Sequence, residues 1–227
     1  MKSVFVSLIE MISPSVRIYL NNNTILTAKK GRDLMEIKNL FWIGLVGAAI
    51  ALIFALIQRN KIMKFSEGTD KMKSIAASIR AGANAYLKRQ YKTVAIFFVI
   101  VAVILAVLAA FDMLSPFVPV AFITGGLYSS LAGFIGMKIA TSSNARTANA
   151  ARESLNQGLK VAFSSGAVMG FTVVGLGILD ITVWFLVLRY GFHCEANEIA
   201  TTMVMFGMGA SAAALFARVG GGIYTKA

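Results

Sequence analysis

The stretch TVAIFFVIVAVILAVLAAF, residues 93–111, decides the fold because it is uninterrupted by any charged residue. An α-helix of about 20 apolar residues crosses the hydrocarbon core of a bilayer. Strands of a membrane barrel would instead alternate apolar and polar residues over short segments. The stretch therefore predicts a transmembrane helix.

Four further stretches are apolar with few or no charges, and we predict helices at residues 39–57, 117–137, 161–188 and 199–222. The chain of 227 residues is 57% apolar and only 14% charged, whereas soluble domains carry about 25% charged residues. These features predict an all-α polytopic membrane protein whose membrane domain occupies residues 39–227.

Basic residues collect in the predicted loops 58–92 and 138–160, while the turn at 112–116 has none. Cytoplasmic loops of membrane proteins are enriched in Lys and Arg. We therefore expect these loops and the C-terminal end to be cytoplasmic and the N-terminus to be outside. The same rule accounts for the net charge of +12, and no motif for nucleic-acid binding accompanies it.

Residues 1–38 do not fit this scheme, because they are basic yet lie on the predicted outer side. Glu10, Pro14 and Arg17 interrupt their apolar part, so it predicts neither a span nor a signal peptide. We expect a poorly ordered extension, or a start codon upstream of a natural start at Met35. A folded inner segment here would invert the topology.

Both basic loops also carry helical patterns. Apolar residues recur at helical spacing between Met72 and Leu87, which predicts an amphipathic helix that lies on the membrane interface and runs into the second span. We expect its apolar stripe to face lipid. The polar loop 138–160 predicts a helical extension, for which Ser142, Ser143 and Asn144 are candidate N-caps.

The fourth and fifth spans are rich in small residues, including a pair at Gly166 and Gly170. Small residues let membrane helices approach closely. We expect these two spans to lie inside a larger bundle, and the second span, built from bulky aliphatic residues, to face lipid.

The segment RVGGGIYTKA, residues 218–227, brings two cations and three glycines to one membrane face. Arg218 follows a long apolar stretch, so it either extends to the headgroups or pairs with a carboxylate of another helix. Lys226 either binds a phosphate as a point charge or anchors the helix at the interface. Spacing alone does not decide between these roles.

The sequence predicts no catalytic residue and no metal site. Its ten acidic residues form no spaced cluster on the cytoplasmic side, although hydrolysis of a phosphoanhydride generally requires Mg²⁺ held by carboxylates. Cys194 and His193 are neighbours, but a metal site needs three or four ligands. No nucleotide-binding loop of the Walker type is present.

Several blocks of the sequence resemble membrane-integral inorganic pyrophosphatases. The resemblance covers about residues 36–227 and rests on four segments besides GMKIAT at 136–141. These are EGTDKMKSIAASIRAGANAYLKRQYKTVA (67–95), LKVAFSSGAVMGFTVVGLGILD (159–180), FGMGASAAALFA (206–217) and RVGGGIYTKA (218–227). They match in order and at compatible spacing.

This resemblance implies five helices of a bundle of about sixteen, in a homodimer embedded in the lipid bilayer. It implies hydrolysis of pyrophosphate coupled to pumping of H⁺ or Na⁺, with the substrate bound as a Mg²⁺ complex. Arg218 would belong to the ion gate and Lys226 to the rim of the pyrophosphate site. The sequence leaves open which ion is pumped and whether K⁺ is a further cofactor.

The resemblance also implies that the Asp-rich motif for Mg²⁺ and pyrophosphate follows Lys226 in the family. We therefore expect this chain to be an N-terminal fragment that is inactive alone. The alternatives are a non-enzymatic membrane bundle and a fragment of an anion transporter.

Overall fold

A computed structural model describes residues 33–224, with side chains for residues 42–222. The chain divides into two units, Met1–Ile43 and Gly44–Ala227, and the packing described below belongs to the second. Five helices in the described part are long and apolar enough to cross a membrane, which confirms the predicted fold class. They are α1 (Asp33–Met63), α2 (Asp70–Ala110), α3 (Phe117–Glu153), α4 (Leu155–Leu186) and α5 (Ala196–Tyr224).

The helices are longer than the apolar stretches that predicted them. The first begins at Asp33 and so includes the end of the extension predicted at 1–38, whose other residues lie outside the described part. Helix α1 also continues to Met63, where Ile62 is buried. The polar residues between the end of the apolar stretch at residue 57 and Met63, mainly Gln, Arg and Lys, have good helix propensity. A helix therefore need not end where its apolar stretch ends.

Helix α2 joins the predicted amphipathic segment to the second span without a break over 41 residues. Thr69 caps its N-terminus, where the Thr69 hydroxyl accepts a hydrogen bond of 3.4 Å from the Met72 amide. At 1.5 Å per residue the helix is about 60 Å long, roughly twice the hydrocarbon core. Its first half therefore extends beyond the membrane.

The later part of the stripe at the start of α2 faces protein and not lipid, contrary to our expectation, whereas Ile75 in its earlier part is exposed. Ala83 and Leu87 are buried against protein, and Asn84 accepts a hydrogen bond of 2.6 Å from Lys138 of α3. This face covers the extension of α3, which gives the stripe an apolar partner within the chain. The aliphatic side chains farther along α2, such as Val99 and Val103, are exposed.

The predicted loop 138–160 is helical except at one residue, Ser154. Its extended backbone separates α3 from α4, and its hydroxyl accepts a hydrogen bond of 3.2 Å from the Gln157 amide. The N-caps predicted at Ser142, Ser143 and Asn144 were wrong, because these residues lie inside α3. Ser143 instead bonds to Ser165 of α4 through hydroxyls 2.7 Å apart, so α3 and α4 form an antiparallel hairpin.

Helix α3 lies at the centre of the described bundle and contacts α2, α4 and α5. Its glycines allow close approach: a Cβ at Gly125 would overlap the carbonyl oxygen of Phe206 in α5. Conversely, a Cβ at Gly209 in α5 would overlap the carbonyl oxygen of Phe122. The backbones of α3 and α5 are therefore in direct contact, which only glycine permits at these two positions.

At the end of the bundle away from the basic residues, α4 changes into a π-helical turn, Val187–Gly191. Trp184 donates an indole hydrogen bond of 2.7 Å to the hydroxyl of Thr124 in α3. The amide of Cys194 donates one of 2.9 Å to the carbonyl of Leu188. These bonds fix the link from α4 to α5.

Candidate functional site

Arg218 lies on α5 near the basic end of the bundle. Its side chain is exposed and forms no ion pair with the other residues whose side chains are described. It therefore presents an unpaired guanidinium, which can bind a carboxylate or phosphate through two parallel hydrogen bonds. Lys226, the other predicted cation, lies outside the described residues.

The three glycines that follow Arg218 do not interrupt the helix, which runs on to Tyr224. A Cβ at Gly220 would overlap the hydroxyl of Tyr86, so Gly220 accommodates α2. A Cβ at Gly221 or Gly222 would meet no described atom within 4 Å. Gly220 thus serves packing against α2, whereas Gly221 and Gly222 have room for a Cβ.

Helix α2 fixes the position of this end of α5. The rings of Phe97 and Phe216 lie with centroids 5.0 Å apart, in the range of favourable aromatic pairs. Together with the Tyr86 contact, they hold α5 along the middle of α2. The segment that bears Arg218 is therefore attached to a helix that reaches far beyond the membrane.

Asp180 is the only acidic residue within the predicted fourth span, and it does not reach Arg218. It is buried in α4, and its Oδ2 has no hydrogen-bond partner among the described residues. Counted at 1.5 Å per residue from the basic ends of α4 and α5, the two residues are about 25–30 Å apart along the bundle. Asp180 is therefore too far away to pair with Arg218.

An ionic cluster that the sequence analysis missed joins the linker 64–69 to α2 and α3. Glu67 Oε1 lies 2.9 Å from an Nη atom of Arg80 and 2.9 Å from one of Arg146. Arg146 Nε also donates a hydrogen bond of 3.0 Å to the carbonyl of Phe65. No short-range spacing connects these positions, so the sequence offered no local signal for the cluster.

Glu67 offsets one of the two positive charges in this cluster. Burial alone would raise the pKa of Glu67, but hydrogen bonds and attraction from Arg80 and Arg146 outweigh it and lower the pKa below its usual 4.5. Glu67 therefore stays ionised and keeps both guanidinium groups in place. The cluster fixes the linker, and Glu67 already engages both of its guanidinium groups, whereas the guanidinium of Arg218 has no ion pair among the described side chains.

The described residues do not form a metal site. No group of three His, Cys, Asp or Glu side chains within residues 42–222 could hold a metal ion. Acidic side chains do meet at the opposite end, where Asp112, Glu195 and Glu198 line a cavity of about 470 Å³. There Glu198 accepts a hydrogen bond of 2.6 Å from the hydroxyl of Ser115. Residues 42–222 therefore do not provide the set of carboxylate ligands that Mg²⁺ requires.

Cys194 and His193 occupy a connecting segment and not a site. Cys194 is buried in an apolar cluster with Trp184 and Leu188, and burial together with the charge of Glu198 raises the pKa of its thiol. His193 adopts a left-handed backbone with φ of 55°. Both residues shape the turn that leads into α5.

Comparison with known proteins places these features in a family. A family profile described as inorganic H⁺ pyrophosphatase matches residues 49–227. The chain is 53% identical over 196 residues to a putative K⁺-stimulated pyrophosphate-energized sodium pump of Bacteroides thetaiotaomicron, covering 83% of this chain and 27% of that protein. It is 45% identical over 181 residues to K⁺-insensitive pyrophosphate-energized proton pump 2 of Moorella thermoacetica, covering 80% and 26%.

A third relative, a K⁺-insensitive pyrophosphate-energized proton pump of Chloroflexus aurantiacus, is 37% identical over 217 residues, covering 86% of this chain and 27% of the relative. The chain thus spans about a quarter of the length of the curated relatives it matches. The matched region contains the second half of α1 and all of α2 to α5. The chain belongs to the inorganic H⁺ pyrophosphatase family.

Proposed function

We propose that this chain is part of a membrane pump that couples hydrolysis of pyrophosphate to transport of H⁺ or Na⁺. The observation that carries the proposal is the family match over residues 49–227, which includes the exposed Arg218 at the end of α5. The relatives named for such pumps are about four times as long. None of the three supports the alternative of a non-enzymatic bundle or an anion transporter.

The proposed role of Arg218 is to pair with a carboxylate on a helix outside this chain and so form part of an ion gate. Its guanidinium is exposed and unpaired among the described side chains, and a cation at the membrane boundary is costly unless it is paired or hydrated. A change in this pairing on substrate binding would alter the barrier for the pumped ion.

The proposed role of Lys226 is to bind pyrophosphate at the cytoplasmic end of α5. A Lys ammonium donates up to three hydrogen bonds and attracts phosphate oxygens as a point charge. Lys226 follows Arg218 by eight residues, about 12 Å if the helix continued that far. That distance would separate the substrate from the gate, yet keep both on one element.

We propose Mg²⁺ as the cofactor of the whole pump, held by residues outside this chain. Magnesium would neutralise the phosphate charges, whereas the described residues supply no ligand set for it. The pumped ion and the need for K⁺ stay open, because the relatives at 53% and 45% identity are named for different ions and different responses to K⁺. A homodimer in the lipid bilayer is the proposed assembly.

The test is to substitute both residues in the full-length protein and to measure pyrophosphate hydrolysis and ion uptake in inverted vesicles. Arg218→Ala should lower the number of ions moved per pyrophosphate more than it lowers hydrolysis. Lys226→Gln should raise the KM for pyrophosphate about 10- to 100-fold, the loss expected for a hydrogen bond between charged groups. The control is Lys61→Gln, which removes one positive charge from an exposed position in α1.

The chain of 227 residues expressed alone should hydrolyse no pyrophosphate. Hydrolysis by this chain would overturn the assignment of the catalytic groups to other parts of the pump. Unchanged coupling in Arg218→Ala would contradict the proposed role of Arg218 in the ion gate. An unchanged KM in Lys226→Gln would contradict the proposed contact of Lys226 with pyrophosphate. Failure of the full-length protein to hydrolyse pyrophosphate would overturn the proposed function as a whole.

A further inference from the structure

An apolar groove of about 410 Å³ runs between α2 and α3 on the outside of the bundle. Its walls include Val94, Ala95 and Phe98 of α2 and Ile123, Leu127 and Leu131 of α3. The α3 wall extends from Ile123 to Phe134, about 17 Å along the helix. This length is close to half of the hydrocarbon core, which is the depth of one lipid leaflet.

Aromatic side chains form the end of the groove that lies toward the basic end of the bundle. The rings of Tyr91 and Phe134 have centroids 6.4 Å apart. The Tyr91 hydroxyl donates a hydrogen bond of 2.8 Å to the carbonyl of Ser130. Tyrosine in this position is typical of the boundary between apolar membrane and water, because its ring is apolar and its hydroxyl is polar.

Each of the two helices carries a lysine one turn beyond the residues that line the groove. Lys88 precedes Tyr91 by three residues in α2, and Lys138 follows Phe134 by four in α3, so each lies on the same helix face as its aromatic neighbour. Lys138 Nζ lies 5.5 Å from the centre of the Phe134 ring and donates a hydrogen bond of 2.6 Å to Asn84 Oδ1 of α2. Lys88 and Lys138 therefore lie on either side of the aromatic end of the groove, which we call its mouth.

Both lysines retain unneutralised positive charge at this mouth. Their side chains are exposed, and neither forms an ion pair within residues 42–222. The apolar stretch of α2 begins at residue 93 and that of α3 ends at residue 137. Lys88 and Lys138 consequently lie at the depth of the lipid headgroups, directly beyond the apolar groove.

We propose that this groove binds one anionic phospholipid, with an acyl chain against α2 and α3 and the phosphate between Lys88 and Lys138. Two cations beside an apolar groove match a ligand with a negative headgroup and an apolar tail. A transmembrane helix laid over this end of the groove would remove the lysines from water and would have to bring its own carboxylate there, whereas an anionic lipid supplies the charge with its headgroup.

The proposal can be tested by native mass spectrometry of the full-length protein in detergent. The protein is titrated with phosphatidylglycerol and, separately, with phosphatidylcholine of the same acyl composition. We expect one tightly retained phosphatidylglycerol per chain. A lysine near an anionic headgroup contributes about fivefold in affinity, so Lys88→Gln with Lys138→Gln should weaken phosphatidylglycerol binding at least about fivefold and leave phosphatidylcholine unchanged.

The matched control is Lys61→Gln with Lys64→Gln, which removes the same charge from exposed positions at the end of α1 and should not weaken phosphatidylglycerol binding. A second pair tests the groove itself. Ala95→Phe fills it and should weaken binding, whereas Val103→Phe adds bulk at an exposed position outside it and should not. Circular dichroism of each variant confirms that the helices are retained.

Equal retention of the two lipids would overturn the proposal, as would equal losses in the two lysine double variants. Binding that is insensitive to Ala95→Phe in a folded variant would also overturn it. If a second copy of the chain occupied the groove, the protein would appear as a dimer without bound lipid, and Ala95→Phe would dissociate this dimer. That result would overturn the lipid proposal in favour of a contact between two copies.

Discussion

Individual residues in this bundle matter mainly through how closely they let backbones approach. Gly125 and Gly209 face carbonyl oxygens of the opposite helix, whereas a Cβ at Gly166, Gly170 or Gly207 would meet no described atom within 4 Å. The sequence shows all of these simply as glycines. Which of them need to be glycine follows only from the neighbouring helix.

Gly209→Ala should therefore destabilise the chain, by about 1–3 kcal/mol, because the added methyl group must displace backbone and not a flexible side chain. Gly207→Ala, two residues away in the same helix, should be neutral or stabilise by up to about 1 kcal/mol through helix propensity. Thermal unfolding in detergent, followed by circular dichroism, measures both. Equal midpoints for the two variants would contradict the close contact between α3 and α5.

The Glu67 cluster gives the chain a stability that depends on pH. Because folding lowers the pKa of Glu67 below 4.5, its contribution is complete above that value and is lost as pH falls through the folded-state pKa. Glu67→Gln should lower stability near pH 7 by about 1 kcal/mol, a modest figure because water and salt screen the cluster. It should also reduce the change in the unfolding midpoint between about pH 6 and pH 3.

Asp70→Asn is the control for this measurement. The Asp70 carboxylate is 99% exposed and, among the described residues, pairs with Lys73 alone, so Asp70→Asn should lower the unfolding midpoint near pH 7 far less than Glu67→Gln does. A pH profile of Glu67→Gln that matches the unmodified chain would show that the cluster does not stabilise the fold.

At the scale of elements, the connections between helices were harder to predict than the helices. Apolar stretches located all five helices, because a bilayer demands unbroken apolar runs. They did not give the ends, since polar residues with good helix propensity extend α2 and α3 well beyond the membrane. The break at Ser154 could have been predicted from Ser154 and Gln157, which have the spacing of a capping box.

Ser154→Ala should destabilise the hairpin of α3 and α4 by about 1 kcal/mol, because the Gln157 amide loses the acceptor that Ser154 provides. Ser154→Asp should restore most of that loss, since aspartate is an equally good N-cap. The comparison requires only the thermal midpoints of the three chains. A stable Ser154→Ala chain would mean that the contacts between α3 and α4 alone define the turn.

At the scale of the whole molecule, charge is distributed unequally between the two ends. The linker 64–69 and the junction at Ser154 lie among basic residues, whereas Asp112, Glu195 and Glu198 meet at the other end. The sequence predicted this difference from loop composition. It could not predict the candidate site fully, because Gly220 packs against Tyr86, 134 positions earlier, and Lys226 lies outside the described residues.

The proposed orientation predicts which positions a membrane-impermeant maleimide reaches in intact cells. A cysteine at Asn197 should be labelled from outside, and one at Asn60 only after permeabilisation, since both positions are exposed at opposite ends. The unmodified chain supplies the background: Cys194 is buried, and the raised pKa of its thiol leaves little reactive thiolate. The opposite labelling pattern would invert the topology.

The single extended residue between α3 and α4 also restricts how the family can vary in length. With no slack at Ser154, one inserted or deleted residue would turn α4 by about 100° about its own axis and move Gly158 and Ser165 away from α3. The linkers 64–69, 111–116 and 192–195 have irregular backbone, so an inserted residue there need not turn the helix that follows. At 64–69 and 192–195 it must leave the Glu67 ion pairs and the Cys194 amide bond in place. Insertions and deletions among homologues should therefore occur in these three linkers, most readily at 111–116, and be absent at Ser154.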